Sequence, residues 1–294
     1  MCSPLILLAV TVLSADAAHA KANPVFRALM KRDADVSQGD AAKGEGLPPF
    51  REPTMADGAT VLAQTATLRK LGGRRYTLDR LLEDSPVAPY LSKVDDATRV
   101  PGGRLVKVDY WFVAYGNLDA LDNKEFLDSI MGSKDVKGSG KALTAADLAP
   151  FEIRLADDRD AYGRGGHILL DKVEVQVTGH SYWSRTDESI VLAGVADPRF
   201  DKTPKLASHW RKASPDGGPG KGPFRPYQPA GFYTKITALK KPRGALFVEC
   251  HMIFHEPQGW FDGGNLLTAK LPAIVDEQVK SARREIARAS ASAK

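Results

Sequence analysis

Cysteine is scarce in this chain: 294 residues contain two, Cys2 and Cys250. A single thiol pair cannot supply a disulfide framework, so stability has to come from a packed core. Long apolar runs are missing as well. The longest, Pro4–Leu13, falls short of the roughly 20 residues a membrane-spanning helix needs, which excludes a polytopic helical membrane protein. Charge of one sign is nowhere concentrated. The 41 Lys and Arg are dispersed among 36 Asp and Glu, giving a net charge of +5. No basic stripe alternates with stacking aromatics, so a groove for single-stranded nucleic acid is not expected. The mild positive excess suits weak attraction to anionic surfaces such as membrane headgroups or cell-envelope polymers.

What is present begins with an export pattern. Pro4–Leu13 reads as the apolar core of a signal peptide, and Ala18-His19-Ala20 supplies a small-x-small cleavage site, although Met1-Cys2-Ser3 brings no basic residue. Cleavage there predicts a secreted or periplasmic protein whose net charge is +6 and whose only thiol is Cys250. Cys2 lacks a lipobox, which argues against a lipid anchor. The Asp-, Gly-, Lys- and Pro-rich stretch that follows predicts a largely disordered linker over residues 21–57, with a possible short helix at Pro24–Arg32. The folded part is then a single domain over 58–288.

Inside that domain the periodicity changes from helix to strand. Val61, Leu62, Thr65 and Leu68 are spaced for a helix that Gly72-Gly73 stops, and Leu78, Leu81 and Leu82 suggest a further helical turn. Leu105–Tyr115 is a strand with Val106, Val108, Tyr110, Phe112 and Ala114 on one face. Asn123–Met131 is a short helix capped by Asp122, and Thr144-Ala145-Ala146-Asp147 has the form of a capping box. Phe151–Leu155, His167–His180 and Ser189–Val195 read as strands, and their clean alternation predicts an antiparallel sheet with one face wet. Residues 197–229 form a long insertion with seven prolines, expected to act as a flap that packs Trp210, Phe224 and Tyr227 onto the core.

The last sixty residues carry the clearest pattern. Phe232–Leu239 and Ala245–Phe254 are strands joined by Lys240-Lys241-Pro242-Arg243-Gly244, a Pro/Gly turn. Leu246, Val248, Cys250, Met252 and Phe254 make one apolar face. Leu271, Ile274, Val275, Val279, Ala282 and Ile286 then form the buried stripe of a helix, with Pro272 in its first turn and Arg283, Arg284 and Arg288 complementing the dipole at its end. Between strand and helix Trp260 follows Gly259 and is expected to anchor the helix to the sheet. Its loss should cost more stability than that of Trp210.

Motifs that suggest chemistry fail on context. Gly179-His180-Ser181-Tyr182-Trp183 lacks the second Gly of a nucleophile elbow. His251 and His255, four residues apart, would meet on a helix, but on a strand they are roughly 13 Å apart and cannot share an ion. Gly163-Arg164-Gly165-Gly166 and Gly217–Gly222 read as turns, since neither joins a strand to a helix. Asp109, Glu249 and His251 could share a sheet face as an acid–base group, but paired or solvated carboxylates are the commoner outcome. Cys250, on the apolar face, reads as inert. No catalytic residue, metal or cofactor is expected.

Residues 231–287 resemble the C-terminal end of START-like lipid-transfer domains of the helix-grip superfamily. Glu256-Pro257-Gln258-Gly259-Trp260-Phe261 matches their junction, and Leu271–Ala287 their closing helix. The resemblance implies an α+β fold in which a curved antiparallel sheet grips a long C-terminal helix. It also implies non-catalytic binding of an apolar or lipid-like ligand between them. Phe112, Val175, Val248, Met252, Phe254 and Ile274 are the expected lining. The alternative is an exported interaction protein with a filled core that contacts an anionic envelope partner.

Overall fold

The pattern of the last sixty residues organises the whole molecule. A computed structural model describes residues 15–31, 47–131, 140–214, 220, 222–227, 230–261 and 266–292. Two short helices, α1 (Ala15–Ala22) and α2 (Pro24–Met30), come first. They are followed by α3 (Val61–Gly72), α4 (Leu78–Leu81), β1 (Tyr90–Val100) and β2 (Gly103–Tyr115). Next come α5 (Leu118–Leu121), α6 (Lys124–Met131), β3 (Lys141–Ala142), α7 (Ala145–Leu148), β4 (Asp160–Leu169), β5 (Val173–Arg185) and β6 (Ser189–Ala196). The small pair β7 (His209–Lys212) and β8 (Arg225–Pro226) precedes the final hairpin, β9 (Ala230–Ala238) and β10 (Ala245–Pro257). The long helix α8 (Leu266–Ser292) ends the chain.

The described strands form one open antiparallel sheet in the order β1-β2-β10-β9-β6-β5-β4-β3. The last long strand returns to the second, β10 against β2, so the two ends of the domain close on each other. The first half of β5 pairs with β7 and its second half with β6. One sheet face, the inner one, carries the even-numbered side chains of β2 and β10 and is covered by α8. Leu267, Leu271, Val275, Val279 and Ile286 of α8 join Val106, Val108, Phe112, Val248 and Ile236 in the principal core. This is the α+β helix-grip arrangement anticipated from the sequence.

Local reasons for the elements are mostly as expected. Thr60 caps α3 through Ala63 N, and Gly73 ends it at φ 55°, a conformation that favours glycine. The capping box of Thr144 and Asp147 starts α7. Gly244 turns the final hairpin at φ 81°. Other expectations are overturned. Asn123, not Asp122, caps α6, its side chain accepting from Phe126 N at 2.8 Å. Phe151–Leu155 is no strand: a short 3-10 turn over Ala149–Phe151 ends with Glu152 in the left-handed region. His167–His180 is two strands, because Leu170 and Asp171 adopt positive φ and reverse the chain. Gly163–Gly166 is no turn but lies inside β4, paired with Gly179–Gln176 of β5. Pro272 sits in the second turn of α8, not its first, since the helix starts earlier at Leu266.

The outer face is not wet. In its described parts, residues 21–31 and 47–57, the expected linker packs against the sheet. Val25, Phe26, Leu29, Leu47 and Phe50 pack on Leu105, Tyr182, Val191, Tyr233 and Ile253, and Met55 packs with Trp111, Val113 and Phe247. The polar composition of this segment pairs with polar groups planted on the sheet, which a composition reading takes for solvation. Arg283 does not serve the helix dipole as expected, because α8 runs on to Ser292 with no basic residue in its last turn. It is buried and donates to the carbonyls of Val113 at 2.9 Å, Ala88 at 2.6 Å and Pro89 at 2.9 Å. The first of these satisfies the edge of β2 beyond its last pairing with β1 at Tyr90 and Phe112, and the others the chain leading into β1. Burial lowers the Arg283 guanidinium to about 10.

Candidate ligand site on the inner face of the sheet

The six residues expected to line a ligand all lie on the inner side. Phe112, Val175 and Val248 are buried in the principal core, with Phe254 and Ile274 partly buried against it. Met252 is half-buried on β10. The register places them in rows: Phe112 beside Val248 and Ile236, Met252 beside Val108 and Phe232, Phe254 beside Val106 and Ala230. Gly194 lies opposite Phe232, and a methyl there would strike the Phe232 ring, so the absent side chain makes the seat for that ring.

Between these apolar rows runs a polar one the sequence did not single out. Tyr110, Cys250 and Thr234 are direct cross-strand neighbours. Thr234 Oγ1 donates to Cys250 Sγ at 3.3 Å, and the Tyr110 and Cys250 side chains also hydrogen-bond. Burial pushes the Tyr110 phenol well above its usual range and the Cys250 thiol up to about 11, so the row is neutral. The available signal was Thr234, the polar residue between Phe232 and Ile236 on an otherwise apolar face.

Accessibility is distributed unevenly across this face. Tyr110, Phe232, Thr234, Met252 and Phe254 sit on strands flanked on both sides by others, yet all keep accessible surface. The neighbouring Phe112, Val248, Ile236 and Leu192 are buried. The junction closes one end. Trp260 stacks on Tyr227, ring centroids 5.7 Å apart and planes 11° from parallel, and meets Trp210 and Phe261 edge-on. Trp210 and Tyr227 of the insertion thus pack as expected. Phe224 does not: it is 50 % exposed, with Arg211 over its ring at 4.3 Å.

The outer face carries a second constellation. Asp109, Glu249 and His251 do meet. His251 Nδ1 lies 2.8 Å from Asp109 Oδ1 and its Nε2 3.3 Å from Glu249 Oε2. Burial opposes a charge on this imidazole, but the two carboxylates overcome it and raise its pKa. Asp109 also pairs with Arg51 at 2.9 Å, and Glu249 accepts from Thr54 N at 2.6 Å and Met55 N at 3.2 Å. Next to it, Lys235 Nζ stands 3.0 Å from Asp57 Oδ1 and donates to Met55 O at 2.8 Å. Both ring nitrogens of His251 are engaged and the residue is buried, so a substrate proton has no vacant partner there. These charges fasten residues 51–57 to the sheet. A depression of about 260 Å³ beside them is lined by Phe50, Arg51, Asp95, Lys107, Asp109 and Ile253, too charged for an apolar guest.

The remaining motifs resolve simply. Gly179–Trp183 is interior to β5, where His180 bonds Asp160 at 2.7 Å and stacks on Tyr162. His251 and His255 share the outer face, and among the described residues no group of three His, Cys, Asp or Glu could hold a metal ion. Most of Gly217–Gly222 lies outside the described residues.

No protein-family model and no curated protein matches the chain. Among solved structures it is similar to human STARD10, at 10% identity and a TM-score of 0.37 over 74% of this chain and 78% of that one. It is also similar to human StAR-related lipid transfer protein 5, at 10% identity and 0.36 over 77% and 96%. A third likeness is to the Mll3558 protein of Rhizobium loti, at 11% and 0.30 over 62% and 96%. The chain's own topology, the last strand returning to β2 and a long helix closing the inner face, is the α+β arrangement expected from the sequence. At these scores the likenesses add nothing on function, which has to be read from the inner face itself.

Proposed function

We propose that the protein binds, without chemistry, one amphipathic lipid-like molecule between the inner face of the sheet and α8. One observation carries this reading: in mid-sheet, Tyr110, Phe232, Thr234, Met252 and Phe254 retain accessible surface around groups whose pKa values are shifted by burial. Such open surface, beside groups that disfavour charge, would form the wall of an apolar hollow. Such a hollow gains from an apolar guest at about 25 cal/mol per Å² covered. The neutral row of Tyr110, Cys250 and Thr234 would receive an uncharged hydroxyl, ester or amide, which replaces the hydrogen bonds a buried polar group requires. Of the six lining residues named from the sequence, Met252, Phe254 and Ile274 would supply the surrounding wall, with Phe112, Val175 and Val248 behind it in the core.

Export to the periplasm or medium belongs to the same proposal, on the apolar run at Pro4–Leu13. The exposed Phe224, with Arg211 over its ring, supports docking to an anionic envelope surface. Titration with a fluorescently labelled monoacylglycerol, an uncharged amphipath, tests the binding. Wild type should enhance the probe's fluorescence saturably at one site. Met252→Trp, which fills the hollow, should abolish the enhancement while the protein stays folded. Equal enhancement by both proteins would place the probe elsewhere.

A further inference from the structure

His19 lies inside the sequence pattern expected to leave with the leader, yet it is 0 % exposed. Its Nδ1 is 2.8 Å from Ser184 Oγ and its Nε2 2.7 Å from Ser189 Oγ. Nε2 also lies 3.6 Å from Asp57 Oδ2. Asp57 is itself the hub of the second buried cluster. It accepts from Thr186 Oγ1 at 2.6 Å and Ser189 Oγ at 2.7 Å, and it faces Lys235, another residue with no exposed surface. Burial opposes the Asp57 carboxylate, but the bond from His19 and the charge of Lys235 hold its pKa far below the usual range. The backbone is committed too: His19 O accepts from Asn23 N at 2.7 Å. The Asn23 side chain donates to Tyr182 O at 2.9 Å and caps α2 through Phe26 N. The described residues from His19 to Lys31 are therefore part of the fold.

Cleavage after Ala20 would discard that imidazole. It would leave the hydroxyls of Ser184 and Ser189 facing a void where a ring had been, and Asp57 short of a partner. It would also place a new α-ammonium at Lys21, two residues before the buried Asn23. A second small-x-small triplet lies just upstream, Ala15-Asp16-Ala17, beginning two residues beyond the end of the apolar run at Leu13. We infer that the leader is removed between Ala17 and Ala18. The mature protein then begins Ala18-His19-Ala20, and its N-terminal residues close the polar cluster on the outer face. The inference rests on the export proposed above and refines it to one peptide bond.

The test is N-terminal sequencing and intact mass of the protein recovered from the exported fraction of an expressing bacterium. A chain starting at Ala18 is expected. A chain starting at Lys21 overturns the inference but leaves export standing, whereas an uncut chain held in the cytoplasm overturns both. A second measurement is independent of the export machinery. Recombinant chains starting at Ala18 and at Lys21, each released from a tag without added residues, are compared by thermal unfolding. The Lys21 chain should melt lower by roughly 5 °C or more, and His19→Ala in the Ala18 chain should reproduce most of that loss. Identical melting temperatures for the three would show that His19 contributes nothing to the mature fold and would overturn the inference.

Discussion

Replacing Trp260 by Ala should severely damage the junction of sheet and helix. The indole is 2 % exposed, stacked on Tyr227 and edge-on to Trp210 and Phe261. A buried Trp removes about 150–250 Å² from water, which at about 25 cal/mol per Å² is roughly 4–6 kcal/mol. Measured losses for Trp→Ala in cores, about 3–5 kcal/mol, agree. For a domain of this size each kcal/mol moves the melting temperature by about 2–4 °C, so a fall of roughly 6–20 °C is expected. Far-UV circular dichroism is the suitable assay, since it does not depend on the indole removed. Trp260 Nε1 has no hydrogen-bond partner among the described residues, so the anchor works by packing. Trp260→Phe should therefore retain most of the stability. The structure also revises the contrast with Trp210, which is buried against Trp260 rather than held in a loose loop. Trp210→Ala should be comparably harmful, and the double variant should lose less than the sum by about 0.5–1.5 kcal/mol. An unchanged melting temperature in Trp260→Ala would refute the anchoring argument.

Two further outcomes concern the outer face. His251 has a raised pKa in the folded protein, so its contribution is fully present below its unfolded value near 6.5 and is lost as pH rises through the folded one. Urea unfolding between pH 6 and pH 9 should show that loss in wild type and not in His251→Gln. Lys235→Met leaves Asp57 buried opposite no cation and should cost about 3–5 kcal/mol in the same assay, whereas a loss below about 1 kcal/mol would show that water already reaches the pair.

The sequence revealed most where one periodicity ran without interruption. The even residues of Leu105–Tyr115 and Ala245–Phe254 do share the inner face, and the stripe from Leu271 to Ile286 does cover it. Capping at Thr144 was legible because both of its partners are local. What escaped depended on distance in the chain. The strand β1 has a broken alternation, with a register irregularity between Asp95 and Thr98, and is recognisable chiefly through its pairing with β2. The reversal at Leu170 and Asp171 puts a leucine, which rarely takes positive φ, at its first position, and Asp171 alone is a weak turn signal. His19 and Asp57 carry no local sign of burial, because Ser184 and Ser189 reach them from more than a hundred residues away. Asp109, Glu249 and His251 were foreseeable as a group on one face, but their role as a clasp for residues 51–57 was not.

The central claim is that the inner face holds an amphipathic guest, and native mass spectrometry of protein purified from its exporting cells addresses it most directly. The account predicts a population heavier than the polypeptide by the mass of one lipid. Organic extraction should release that lipid, and Met252→Trp should lack it. A single species at the bare polypeptide mass, with nothing extracted and no uptake from added lipid, would contradict it.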